Sequence, residues 1–112
     1  MFRDEEGNFD EIKFLCNRKI EKIEFKKCNT EAITTLNNAF SSCEELREIK
    51  GLQNLNVHNV TNMYSAFSYC KKLTKVNIGT WDMPNCIDTS YMFYNCFNLT
   101  TITGTEYWLL TN

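Results

Sequence analysis

Apolar residues recur at fixed offsets through most of this chain. Three 17-residue copies align without gaps, at 33–49, 60–76 and 86–102, and they follow one another at intervals of 27 and then 26 residues. Each copy carries a phenylalanine at position 8, a cysteine at position 11 and a leucine at position 14. A period of this length indicates a repeat architecture in which each copy is one small structural unit.

Within each copy the shared apolar positions are 1, 4, 8 and 11, which is the spacing of one face of a helix of about three turns. After the cysteine the rhythm changes, because Val76 and Ile78 alternate with polar residues as in a short strand. Asn59 and Asn85 directly precede two of the helical segments, where an asparagine side chain caps free backbone N–H groups. Each unit is therefore predicted to run helix, turn, strand.

A unit of this size cannot bury its apolar face alone, so it has to stack on its neighbours. The sequence therefore predicts an α/β solenoid whose short strands form a parallel sheet on one side. Such arrays need about three or more units, with atypical units at their ends. The segment 7–23 aligns 26 residues before the first copy and keeps Phe14, Ile20 and Ile23, with Asn17 at the cysteine position. We interpret it as a degenerate amino-terminal unit.

Charged residues at aligned positions alternate in sign from one copy to the next. In stacked units these residues are neighbours, so their attraction helps to fix the register, although each exposed pair contributes only about 0.2 to 1 kcal/mol. Arg47 of the first copy aligns with Glu21 in the same way. The acidic row is Glu44, Glu45 and Glu48, and it aligns with the basic rows Lys71, Lys72, Lys75 and Arg18, Lys19, Lys22.

The repeats divide a single predicted domain, residues 1–112, into five parts. The last part, "TEYWLLTN", is strongly apolar, so it is predicted to fold back over the third copy or to meet another chain, which includes self-association. The parts are a degenerate amino-terminal unit or cap at 7–32, repeats at 33–59, 60–85 and 86–104, and a carboxyl-terminal cap at 105–112.

Composition indicates an ordinary soluble protein. Charged residues make up 23% of the chain and the formal net charge is −2, so nothing points to nucleic acid. No apolar run approaches the roughly 20 residues that a membrane helix needs. The first residues, "MFRDEEGNFDE", lack a positive flank and an apolar stretch, so they do not form a secretory signal peptide. The compartment stays open: the protein is intracellular, or the chain has lost a leader.

Six cysteines raise the questions of disulfides, metal binding and catalysis. No pair has the two-residue gap of a zinc knuckle or a redox motif, and His58 is the single histidine, so no metal site is predicted. The aligned residues Cys43, Cys70 and Cys96 are predicted to be reduced and buried, as a column of small apolar side chains. A disulfide between neighbouring units is the alternative, because the strand spacing matches disulfide geometry, but three aligned cysteines cannot all pair with one another.

No catalytic or cofactor-binding residue is predicted. His58 lies in a loop with no cysteine near it in the repeat, and no glycine-rich stretch offers an oxyanion or phosphate cradle. The sequence therefore predicts that the protein is not an enzyme and needs no cofactor.

Aromatic residues off the apolar face are the candidate partner contacts. The helical phase places three tyrosines outward and Tyr64 at the flank, and exposed tyrosines are favoured in interfaces because they give a large contact area at low entropic cost. Phe97 follows the last aligned cysteine, and Trp108 lies in the apolar carboxyl-terminal segment. The candidate contacts are Tyr64, Tyr69, Tyr91, Tyr94, Phe97 and Trp108.

The stretches "NVTNMYSAF", "SYMFYNC" and "TWDMPN" resemble the BspA-like leucine-rich repeats, whose surface-protein branch reads V-T-x-M-x-x-M-F-x-x-C-x-x-L. The resemblance covers residues 30–104, with Cys86 in place of the usual valine and Thr89 in place of the usual methionine. It implies a short right-handed, leucine-rich-repeat-like solenoid. It also implies a non-enzymatic protein, since members of that family are mostly secreted or surface-anchored and are implicated in adhesion.

Two functions follow as expectations. The first is a protein-binding or adhesion module that recognises a protein or a cell surface through positions that vary between copies, notably Ser42, Tyr69 and Asn95. The second is a structural or assembly component, which self-associates or docks onto a larger particle through its apolar carboxyl end and has no independent ligand.

Overall fold

A computed structural model describes residues 2–3, 9–79 and 81–104. The regular elements in these residues are short, because the chain spends most of its length in turns and bends. In chain order they are strands β1 (Phe2–Arg3), β2 (Phe9–Glu11), β3 (Lys22–Glu24) and β4 (Glu48–Lys50), a 3₁₀-helix (Leu52–Asn54), and strands β5 (Lys75–Asn77) and β6 (Thr101–Thr103).

The predicted solenoid of helix, turn and strand units is wrong. Within the described ranges the chain forms no α-helix, and the strands form three separate two-stranded sheets in place of one parallel sheet along a side. β1 and β2 are antiparallel, whereas β3 pairs with β4 and β5 pairs with β6 in parallel. The short strand predicted from Val76 and Ile78 is present as β5, which ends at Asn77, and within the described ranges β5 pairs only with β6.

A chain of overlapping turns replaces the predicted helices. In the first copy the amide of Ala39 donates to the Leu36 carbonyl at 3.1 Å and the amide of Ser41 donates to the Asn38 carbonyl at 3.2 Å, so these bonds span three residues, not four. Asn38 and Ser42 have left-handed backbone, with φ of 56° and 61°. A left-handed residue at every fourth position ends any helix, yet apolar side chains still turn inward at steps of three or four residues, which explains why the pattern predicted a helix.

The amides between these turn bonds point to the next copy. Backbone hydrogen bonds join Phe40 N–H to the Ala66 carbonyl at 2.7 Å and Phe67 N–H to the Met92 carbonyl at 2.8 Å. The amino-terminal segment bonds to the first copy in the same way, because the backbone N–H of Cys16 donates to the Ser41 carbonyl at 2.8 Å. Asn, Ser, Thr and aromatic residues are weak helix formers, so hydrogen bonds between copies outweigh the local preference for helix. Aligned copies therefore lie side by side.

Asn59 and Asn85 do not act as helix caps. The Asn59 side-chain amide donates to the Glu31 carbonyl at 2.9 Å, and the Asn85 side-chain amide donates to the His58 carbonyl at 3.2 Å. Each therefore ties one turn to the aligned turn before it, and the prediction of capping is wrong because no helix follows.

A stack of four phenylalanine rings forms the centre of the core. Phe14, Phe40, Phe67 and Phe93 lie nearly parallel, with centroid separations of 5.7, 5.0 and 5.3 Å along the stack. Phe40 and Phe67 have no solvent exposure, while Phe93 in the third copy is only half-buried. Phe14, at the other end, is half-buried as well, so burial is complete in the middle of the stack and decreases at both ends.

Among the described residues no helix has the length and apolar character that crossing a membrane requires. Residues 105–112, predicted as a carboxyl-terminal cap, lie outside the described residues, and the boundaries drawn between the repeats stay predictions.

Candidate functional site

Four of the predicted contact residues meet on one surface. The ring of Tyr91 lies edge-on to Tyr64 and to Tyr94, with centroids 5.7 and 5.3 Å away, and Tyr94 in turn lies 5.7 Å from Tyr69. Their exposed fractions run from 39% to 57%, so each ring rests on its neighbours and keeps a face in solvent. Edge-to-face contacts of this kind favour a fixed arrangement. We call these four residues the tyrosine cluster.

Two members of the tyrosine cluster have unusual backbone. Tyr69 and Tyr91 are left-handed, with φ of 62° and 57°, in a region where bulky residues are rare. The aligned residues in other copies are serine or asparagine: Ser42 and Asn95 align with Tyr69 and are also left-handed. The conformation is therefore set by the repeat and not by the tyrosine, and the tyrosine costs roughly 1–2 kcal/mol in that place.

Replacing Tyr69 by asparagine is expected to change the free energy of unfolding by less than about 1 kcal/mol. Relief of left-handed strain offsets the lost contact with Tyr94, since both effects are of order 1 kcal/mol. Tyr69→Val also removes the ring but adds a β-branched side chain to left-handed backbone, so it is expected to cost roughly 2 kcal/mol. Urea denaturation of both variants checks this, and equal stabilities would contradict it.

The other candidate contacts behave differently. Phe97 is 70% exposed but makes no ring contact with another aromatic residue in the described part of the chain, and Trp108 lies outside the described residues. Ile87 is 77% exposed and was not predicted as a contact. Its position, second in the copy, holds threonine in the other two copies, and this switch from polar to apolar is the signal that could have found it.

The predicted pairing of charges between copies is confirmed at four places. Glu44 lies 3.4 Å from Arg18 and 3.8 Å from Lys71, so it pairs with the copies on both sides. Arg47 pairs with Glu21 at 3.8 Å, and Lys72 with Glu45. The hydrogen bond and charge of Lys72 hold the pKa of Glu45 below its usual value. These exposed pairs align the copies more than they stabilise them.

All six cysteines are free thiols, and the predicted burial is confirmed for Cys43 and Cys70, while Cys96 is half-buried. Each of these three thiols donates to the carbonyl of the stacked phenylalanine one copy earlier, for example Cys70 to Phe40 at 3.1 Å and Cys96 to Phe67 at 3.0 Å. Burial raises the pKa of Cys70 and Cys96, and that of Cys43 to about 11. A protonated buried thiol is a poor nucleophile, so this column packs the core.

The raised pKa of Cys43 predicts a loss of stability in alkaline solution. Because the thiol ionises near pH 9 when unfolded and near pH 11 when folded, its contribution to the free energy of unfolding is complete below about pH 9 and is lost as pH rises through 11. Urea denaturation at pH 8 and at pH 10.5, for wild type and Cys43→Ala, checks this. The stability difference between the two proteins is expected to shrink at the higher pH by an amount of order 1 kcal/mol, and a constant difference would contradict it.

Among the described residues, the groove beside Trp81 does not assemble a catalytic set. The groove beside Trp81 is about 350 Å³, and His58 and Asp82 at its edge are 3.9 Å apart and exposed. The described residues that line it include no serine or cysteine nucleophile. No group of three or more His, Cys, Asp or Glu side chains in the described ranges is placed to hold a metal ion. The absence of enzymatic activity stays a prediction.

Comparison with known proteins identifies a family but no activity. No curated protein and no solved structure matches the chain. The BspA-like resemblance is not tested by these comparisons and stays a prediction. One family model, described as a Mycoplasma protein of unknown function, DUF285, matches residues 6–108. Since that match covers most of the 112 residues, the chain belongs to the DUF285 family.

Proposed function

We propose that this protein is a non-enzymatic protein-binding module whose contact surface is the tyrosine cluster. The observation that supports this most directly is the contact chain of four half-exposed rings across two neighbouring copies. Solvent-exposed tyrosine rings in one connected group give contact area that is largely apolar, together with hydroxyl groups that stay hydrated or bind a partner.

The rigidity of the cluster favours binding. Each ring is held by a neighbouring ring. Backbone hydrogen bonds also fix the chain beneath them, because Tyr69 N–H donates to the Tyr94 carbonyl of the next copy at 2.8 Å and Tyr94 N–H donates to the Tyr91 carbonyl at 3.1 Å. A partner therefore immobilises few additional side chains on binding, which lowers the entropic cost of association. Retaining two strained tyrosines where asparagine fits better is consistent with selection for contact, since strained residues concentrate at functional places.

The test uses Tyr69→Asn, which removes a ring and is expected to keep the fold. Tagged full-length wild type and Tyr69→Asn are expressed in the producing cells, and a protein that copurifies with wild type is then purified and titrated against both. We expect the variant to bind at least about tenfold more weakly, the loss typical of one good interface residue. Lys50→Asn, on the exposed face of β4, is the matched control and should bind as wild type does. Equal binding by all three proteins would contradict the proposal.

Self-association is the second candidate function, and one observation favours it. Apolar side chains of the third copy are less buried than their counterparts, as Phe93 and Leu99 show against the fully buried Phe67 and Leu73. Light scattering during size-exclusion chromatography decides between the two functions. A strict monomer at all concentrations counts against assembly, and a dimer that persists in Tyr69→Asn counts against the tyrosine cluster as its contact.

A further inference from the structure

The outer edge of the third copy carries a row of backbone N–H groups. In the second copy the equivalent amides all donate across to the third copy, at 2.7 to 2.9 Å. The third copy repeats the same internal turn bonds, such as Tyr94 N–H to the Tyr91 carbonyl at 3.1 Å, and the same left-handed residues, Tyr91 and Asn95. Its equivalent amides therefore point outward together. We call them the donor row, and they belong to Thr89, Tyr91, Phe93 and Asn95.

Within the described part of the chain, none of the four donor-row amides has a hydrogen-bond acceptor. The neighbouring carbonyls cannot supply one, because those of Asp88, Ser90, Met92 and Tyr94 point the other way and accept bonds from the second copy. This part of the edge is therefore built of donors alone. Aligned N–H groups in turn conformations create a positive potential that attracts acceptor oxygens.

The third copy also leaves apolar side chains incompletely buried. Phe93 stacks on Phe67 with one face and is only half-buried, and Leu99 and Ile102 of the same copy are half-buried as well. Phe97 and Ile87 are strongly exposed on the same copy. An occupant of this edge thus needs carbonyl oxygens along one side and apolar side chains next to them.

A second copy of this chain does not meet that need. Tail-to-tail association sets donors against donors. Head-to-tail association needs the four acceptor positions of the amino-terminal unit, but two of them, Phe9 and Glu11, are already paired in β2 with β1. A second copy therefore offers the donor row at most half of the acceptors, those of Lys13 and Leu15. We propose that the donor row binds an extended segment of a different polypeptide, which adds its backbone carbonyls to the edge and lays apolar side chains on Phe93. This is peptide recognition by edge addition, and it does not rest on the proposed role of the tyrosine cluster.

The test follows amide hydrogen exchange by NMR in the full-length protein. The probe is a synthetic peptide with the sequence of residues 60–76, in reducing buffer, because that sequence offers an acceptor edge and a phenylalanine in this fold. In the free protein the donor-row amides are expected to exchange fast, while the aligned amides of Met63, Ser65, Phe67 and Tyr69 are protected. Excess peptide should slow donor-row exchange at least about tenfold, whereas a scrambled peptide should not.

Two variants isolate the hydrogen bonds. Thr89→Pro removes one N–H that has no acceptor in the described chain, and Thr89→Ala removes the same side chain but keeps the N–H. Peptide affinity is expected to fall about two- to tenfold more in Thr89→Pro than in Thr89→Ala, the value of one hydrogen bond. Slow hydrogen exchange at the Met63 amide shows that a variant keeps its fold. If both variants keep it and bind the peptide with equal affinity, the proposal is overturned.

Other results would overturn it as well. Donor-row protection in the free protein, whether constant or rising with protein concentration, would mean that the chain's own residues or a second copy cover the row. If inorganic phosphate slows exchange of the donor-row amides as much as the peptide does, the row is an anion site. No protection at millimolar peptide would mean that the edge is simply hydrated. Because the readout is the backbone amides, Tyr69→Asn should leave it unchanged, so failure here and failure of the tyrosine cluster are distinguishable.

Discussion

Replacing Phe67 by alanine is expected to lower the free energy of unfolding by about 3–5 kcal/mol. The ring has no solvent exposure and stacks between Phe40 at 5.0 Å and Phe93 at 5.3 Å, so its loss leaves a cavity lined on both sides by rigid rings. Neighbouring side chains cannot collapse into this space, because hydrogen bonds between copies fix the spacing of the backbone. The loss should therefore lie at the upper end of the range for a buried aromatic residue.

Urea denaturation followed by circular dichroism measures this loss. Phe97→Ala is the matched control, since Phe97 is 70% exposed and its removal should change stability by less than about 0.5 kcal/mol. A loss below about 1 kcal/mol in Phe67→Ala, or equal losses in both variants, would show that the phenylalanine stack is not the centre of the core.

Replacing Gly51 by alanine is expected to cost roughly 2–4 kcal/mol. Gly51 is left-handed, with φ of 83°, and a Cβ atom built on it would overlap the carbonyl oxygen of Phe25 in the neighbouring amino-terminal unit. The strain of alanine in this conformation is roughly 1–2 kcal/mol, and forcing two packed backbones apart adds a similar amount. Close approach of the two copies therefore requires glycine at this position.

Asparagine separates the two causes of this loss. Gly51→Asn tolerates left-handed backbone but still carries a Cβ, so we expect it to be nearly as unstable as Gly51→Ala in thermal or urea denaturation. Full recovery in Gly51→Asn would mean that backbone strain alone accounts for the effect and that the copies are free to separate. Gln53→Ala, at an exposed position close by, serves as the control and should be neutral.

Contacts between copies account for most of the order in this molecule. The phenylalanine stack, the thiol to carbonyl bonds and the alternating charges each join a residue to its counterpart 25 to 30 positions away. Bonds within one copy are limited to tight turns. A single copy is therefore not expected to hold its shape alone. For the same reason, an additional segment would gain the most stabilising contacts at the exposed edge of the third copy.

The candidate site was predictable in part. Helical phase placed Tyr69, Tyr91 and Tyr94 outward, and they are exposed, although the structure reaches this result through turns. That the four rings contact one another could not be read from the sequence, because it depends on the lateral spacing of the copies. The donor row was not predictable at all, since a helix would have used the same amides internally.

The sequence by itself determined the repeat, its register and the residues that fill the core. Phenylalanine, cysteine and leucine recur at aligned positions, and charged residues at aligned positions are opposite in sign, so both patterns can be read directly from the side chains. Only the tertiary structure decided the conformation of the backbone. Buried side chains at steps of three or four residues fit a helix and also fit a chain of turns with left-handed residues such as Asn38 and Ser42. The choice depends on whether amides bond within a copy or across to the next, and that alternative exists only when the next copy is in place.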